Sequence, residues 1–123
     1  MSYNRQITVT CDNNSSADCT VEAALSIIGG KWKLKVYKHL KNGGALRFSN
    51  LVKELNGISE KTLSSQLREM EKDGIITRVV YAEIPPRVEY MLTALGHSLD
   101  KVFSSLDAWG KAYIDGNKAP NLV

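Results

Sequence analysis

Apolar positions recur at helical spacing through most of this chain and give way to β-branched and aromatic runs in one stretch. The strongest pattern lies over 56–92, NGISEKTLSSQLREMEKDGIITRVVYAEIPPRVEYML, which predicts a tight turn, one helix and a hairpin closing over Pro85-Pro86. Within that helix Leu63, Leu67 and Met70 fall at i, i+4 and i+7, an apolar stripe facing a core. The opposite face carries Lys61, Thr62, Ser65 and Arg68, hydroxyls and cations with no carboxylate until Glu69. A helix that needs only to be soluble usually mixes both charge signs and favours Glu, Lys and Ala. Donors, hydroxyls and small side chains are what a helix in a DNA major groove requires.

The remaining pattern surrounds that unit. Residues 1–18 are polar and read as a mobile arm. A first helix starts near Thr20, with Val21, Ala24, Leu25 and Ile28 as a narrow docking stripe, and Gly29-Gly30 ends it. A second helix over 31–41 buries Trp32, Val36 and Leu40 and carries lysines elsewhere; Asn42-Gly43-Gly44 breaks the chain. A short strand over 46–48 leads to a third helix built on Phe48, Leu51, Val52 and Leu55. Asn56-Gly57 supplies the turn, and Ser59 caps the following helix with Glu60 in its first turn. Two short helices joined by so tight a glycine turn form a helix-turn-helix unit. Gly74 stops the second, and 77–81 and 88–92 read as strands with the prolines at their tip. Thr93 caps one long last helix whose apolar face is Leu95, Leu99, Val102, Phe103, Leu106 and Trp109. The fold class expected is mainly α with a small β-hairpin wing, a winged helix-turn-helix with extra N- and C-terminal helices.

Composition alters this picture little. The 123 residues suit one domain over 19–115, flanked by the arm and a polar tail over 116–123. Hydrophobic and charged fractions of 43% and 24% are ordinary for a soluble protein. No apolar run approaches a membrane span and 1–10 lacks a signal-peptide core, so a cytoplasmic location is expected. Net charge is only +3, but Lys31, Lys33, Lys35, Lys38 and Lys41 cluster in one helix while Asp100, Asp107 and Asp115 mark the C-terminal segment. That asymmetry suits one face meeting phosphate and another meeting protein. The two cysteines, Cys11 and Cys19, are too few for a disulfide scaffold and read as free thiols in a reducing compartment. His39 and His97 have no ligand spacing and no activating partner in sequence. No metal site, cofactor or catalytic residue is therefore expected.

Joint order then adds a resemblance. The stretches Ile27-Ile28-Gly29-Gly30-Lys31-Trp32, Arg47-Phe48-Ser49-Asn50-Leu51, Gly57-Ile58-Ser59-Glu60-Lys61-Thr62-Leu63, Leu67-Arg68-Glu69-Met70-Glu71-Lys72-Asp73-Gly74, Pro85-Pro86-Arg87-Val88-Glu89-Tyr90 and Leu92-Thr93-Ala94-Leu95-Gly96 resemble the HxlR-type family of bacterial transcription regulators. The resemblance implies a homodimer held by the first and last helices that binds double-stranded operator DNA, read here as a repressor and not an enzyme. It also implies a response to oxidants or electrophiles through a cysteine just before the first helix, the position of Cys19, although the family's usual Cys-Pro is Cys19-Thr20 here.

Pattern and resemblance agree on the DNA-facing residues. Lys61, Thr62, Ser65 and Arg68 face the groove, Ser64 and Gln66 flank them, and Ser59 caps the helix and reaches a phosphate. An arginine can read guanine bidentately and a glutamine adenine. Arg87 is the wing residue for a minor groove, with an ion pair to Glu83 or Glu89 as the alternative. Val21, Leu25 and Ile28 of the first helix and Leu99, Val102, Phe103, Leu106 and Trp109 of the last exceed what a domain this size needs internally, and read as a dimer interface. Cys19 at a helix start has its thiolate favoured by the dipole and opposed by Asp18 and Glu22; Cys11 is a resolving thiol or an exposed cysteine without a role. Two other readings stay open: a ligand-responsive regulator without thiol sensing, and a winged helix that binds only protein.

Overall fold

The computed structural model describes residues 17–116. In chain order it comprises α1 (Ala17–Ile28), α2 (Lys33–Gly43), α3 (Phe48–Glu54), α4 (Glu60–Lys72), β1 (Ile76–Tyr81), β2 (Arg87–Leu92), α5 (Ala94–His97) and α6 (Asp100–Ile114). This is the winged helix-turn-helix expected from the pattern, with α3 and α4 as the unit and the β1–β2 hairpin as the wing.

Each end of α4 is built from its own residues. Ser59 has extended backbone and its Oγ accepts from the Thr62 amide at 3.1 Å, satisfying one of the amides a helix start leaves open. At the other end Gly74 takes φ 80, while its amide donates to Glu71 and that of Ile75 to Met70, both at 3.0 Å. That is a Schellman stop, and it aims the chain straight into β1. Between them Leu63, Leu67 and Met70 are buried in a core with Val36, Tyr37, Leu40, Leu51, Leu55, Ile58, Ile75, Ile76 and Leu92.

β1 and β2 pair antiparallel from Ile76–Leu92 to Tyr81–Arg87. The predicted strand at 46–48 is a single bridge, Leu46 exchanging both backbone hydrogen bonds with Tyr90, because Phe48 already starts α3. The second helix begins and ends two residues later than 31–41; at its end Gly44 at φ 78, not Gly43, supplies the stop. The first helix starts before Thr20, at Ala17. The remainder of the arm and the tail beyond 116 lie outside the described residues.

The single last helix is two. Thr93 caps α5, its Oγ1 accepting from the Gly96 amide at 3.0 Å, and the chain turns at Ser98-Leu99 before α6. Gly96 weakens the helix by its backbone entropy, and Ser98 donates its hydroxyl to the Leu95 carbonyl, competing with helix continuation. The break lets Leu95, Leu99 and Phe103 turn inward against the core. Val102, Leu106, Trp109, Tyr113 and Ile114 remain exposed, and no residue of α6 is buried.

Candidate nucleic-acid interface

Lys61, Ser65 and Arg68 are exposed at i, i+4 and i+7 on α4, opposite the buried row Leu63, Leu67 and Met70 at the same spacing. One helix therefore presents a basic, hydroxyl-bearing edge outward while its other edge is locked in the core. Thr62, Ser64 and Gln66 flank the edge, half-buried, and Ser59 is exposed at its start, its hydroxyl donating to Thr62 Oγ1 at 2.9 Å. The N-terminal amides of α4 and the Lys61 ammonium put positive potential at that end, where a phosphate is favoured.

Arg87 occupies the position of its alternative reading. Its guanidinium lies 3.0 Å from Glu83 and 3.6 Å from Glu89 and sits 4.0 Å from the Tyr81 ring centroid. It braces the wing across the register that pairs Tyr81 with Arg87. Glu83 is half-exposed, so the outer of the two pairs is open to exchange for phosphate.

Of the expected dimer residues, Val21, Leu25, Val102, Leu106 and Trp109 are exposed and Ile28 is half-buried. Leu99 and Phe103 instead face the domain's own core, Phe103 meeting Tyr37 with ring centroids 4.7 Å apart. Trp109 stacks on Tyr113 at 5.5 Å. A groove of about 730 Å³ runs between α1, α2 and α6, with Leu25, Leu34, Leu106, Tyr37, Lys41 and Asp100 in its lining. Lys41 is bonded to Asp100, which holds the ammonium's pKa above and the carboxyl's below the ordinary ranges. Burial raises the Tyr37 phenol, with Asp100 adding to the rise and Lys41 opposing it.

Three features escaped the sequence reading. Lys33 is buried at the start of α2 and donates to Glu69 of α4, so the lysines of α2 are not one solvated row. Its spacing with Tyr37 and Lys41, i, i+4 and i+8 along α2, was the available signal. Arg47, exposed where the chain enters α3, and Arg78, exposed on β1, add cations to the two elements flanking α4. Thirdly, Cys19, half-buried in the first turn of α1, is disulfide-bonded where a free thiol was expected; Cys11 lies outside the described residues. Among the described residues no group of three His, Cys, Asp or Glu could hold a metal, and no helix is long and apolar enough to cross a membrane.

Comparison with known proteins places this geometry. The family model described as HxlR-like helix-turn-helix matches residues 27–118. The HTH-type transcriptional regulator YtcD of Bacillus subtilis (strain 168) is 46% identical over 96 residues, 78% of this chain and 75% of that protein. A crystal structure of a transcriptional regulator from Enterococcus faecalis V583, described as of the MarR family, superposes with a TM-score of 0.76 at 39% identity, over 87% of this chain and 96% of that one. The reduced form of the redox regulator HypR superposes with a TM-score of 0.72 at 40% identity, over 78% of this chain and 94% of that one.

Proposed function

The chain belongs to the HxlR-like helix-turn-helix family and is a transcriptional regulator, not an enzyme; from that premise we propose that it is a homodimeric repressor in the cytoplasm that reads operator DNA through α4 and is released by thiol oxidation. The observation that carries the DNA reading is the exposed row Lys61, Ser65 and Arg68 set opposite a buried row of the same spacing. Within it Arg68 reads a base edge, Lys61 and Ser59 meet phosphate, and Thr62, Ser64, Ser65 and Gln66 complete the surface. Arg87 joins at the wing by exchanging Glu83 for a phosphate or a minor-groove edge. Arg47 and Arg78 extend the phosphate footprint.

The exposed faces of α1 and α6 support the dimer, since Val21, Leu25, Leu106 and Trp109 are each more than half exposed in the single chain. A twofold dimer then requires half-sites about one helical turn apart, roughly 34–36 Å. Thiol control is supported by the disulfide at Cys19, with Cys11 as the resolving thiol, and by likeness to a protein described as a redox regulator. A second reading has the groove lined by Tyr37, Lys41 and Asp100 as its observation: there a small effector, in place of oxidation, sets affinity.

The deciding experiment titrates the reduced protein on DNA from upstream of its own and adjacent genes against salt. A protected twofold repeat whose affinity falls steeply with salt is expected. Weak, salt-independent binding on every fragment would instead favour a winged helix that binds protein. Added thiol oxidant should loosen wild type and spare Cys19→Ser; equal loss in both removes the thiol switch and leaves the effector groove.

A further inference from the structure

Lys33 is one of the charged residues buried in the described chain, with 5% of its side chain exposed, and its ammonium is bonded to Glu69 of the recognition helix. A cation so enclosed cannot reach a phosphate. Nor does it merely fasten α2 to α4, because the attachment point is off the helix's apolar seat. Leu63, Leu67 and Met70 fall within an arc of about 60° at 100° per residue. So narrow a seat resists lifting of α4 far better than it resists rolling. Glu69 stands between Met70 in the seat and Arg68 on the outer row, about 100° round the axis from each. A bond there opposes roll directly.

We propose that the Lys33–Glu69 pair sets the roll of α4 about its own axis, making Lys33 a positioning residue for sequence discrimination that never touches DNA. The inference rests on the reading of α4 as the DNA-reading helix. The lever is short. A side-chain atom about 6 Å from the axis moves roughly 1 Å for each 10° of roll. That displacement takes a base hydrogen bond out of its 2.7–3.2 Å range. Phosphate contacts tolerate it, because the ammonium and guanidinium attraction depends on distance more than on direction and long side chains adjust.

The test uses two duplexes: the sequence that wild type enriches from a random pool, and a scrambled duplex of equal length. Lys33→Met keeps the buried stem and removes only the ammonium from Glu69, whose side chain is 35% exposed to water. The ratio of the two affinities is expected to fall about 10-fold, as for loss of one base contact, while affinity for the scrambled duplex and the salt slope stay unchanged. Glu69→Gln retains an acceptor for Lys33 and should fall less, and the double variant no further than Lys33→Met alone. Thermal melts confirm that the variants compared are folded. An unchanged ratio overturns the proposal, as does equal loss on both duplexes with a shallower slope, which would make Lys33 a phosphate contact. If wild type enriches no sequence and neither duplex shows salt-dependent affinity, the DNA reading itself fails, a result distinct from these.

Discussion

Replacing Gly96 by alanine should destabilise the junction between the wing and α6, although alanine is the better helix former. The Cβ of that alanine would lie 2.2 Å from the Ile75 carbonyl oxygen and 3.2 Å from Leu92 Cδ2, where ordinary contact begins near 3.4 Å. Roughly 1 Å of separation must open between α5 and the chain entering β1. That same interface holds the Thr93 amide bond to Ile75 at 3.0 Å and the Thr93 cap on Gly96, so the shift strains both. Overpacking costs about 1–3 kcal/mol, and here the upper part of that range, about 2–3, applies because the atom met at 2.2 Å is backbone and cannot rotate aside; the intrinsic gain of alanine over glycine in a helix offsets about 1 kcal/mol. A net loss of about 1–2 kcal/mol remains, or a melting temperature lower by about 4–16 °C for a domain of this length. Gly110 of α6 is the control, because nothing lies within 4 Å of its added Cβ. Gly110→Ala should leave the melt unchanged or raise it by a few degrees, about 0.5–1 kcal/mol. Thermal unfolding followed by circular dichroism, at equal protein concentration for all three, reads the difference. A Gly96→Ala melt at or above that of wild type would refute the packing argument.

Further substitutions address function. Arg68→Ala should cost about 1–3 kcal/mol of discrimination between cognate and scrambled DNA, and Lys61→Ala should lower affinity for both and flatten the salt slope by about one unit; the reverse assignment would exchange their roles. Trp109→Glu removes an apolar contact worth about 1.5–3 kcal/mol if the exposed face of α6 is shared, so sedimentation should show a dimer weakened at least 10-fold with the melt of the monomer retained. An unweakened dimer would move the interface elsewhere. Asp100→Asn tests the bridge to Lys41. The carboxyl's folded pKa is lowered, so its stabilisation is present above the ordinary carboxylate value, about 3.9, and is lost as pH falls through the lower folded value. The ammonium's folded pKa is raised, so its share is present below about 10.4 and is lost as pH rises through the higher folded value. Urea unfolding across pH should show a wild-type advantage on that plateau that closes at both ends; an advantage that persists after acid has protonated the Asp100 carboxyl would assign it to something other than this pair.

The order of elements, the caps and the candidate DNA face were legible in the chain itself, because each depends on neighbours within a few residues. The spacing of Leu63, Leu67 and Met70 orients α4 whatever it packs on, Ser59 and Gly74 bound it locally, and Lys61, Ser65 and Arg68 follow on the other side. What tertiary structure decided is where partners come from distant sequence. Lys33 and Glu69 are 36 positions apart; the spacing of Lys33 with Tyr37 marks a shared face of α2, but nothing local names the carboxylate that receives the ammonium. Lys41 and Asp100 are 59 apart, which turned an apparent separation of basic and acidic segments into a bonded pair. The last helix is divided at Ser98-Leu99, just past the point where Gly96 approaches the Ile75 carbonyl, a contact absent from the periodicity of Leu95, Leu99 and Phe103. That division in turn sent Leu99 and Phe103 into the core and left Val102, Leu106 and Trp109 outside. Hydrophobic spacing determines that a face is apolar; only the three-dimensional arrangement determines which apolar residues the domain buries against itself.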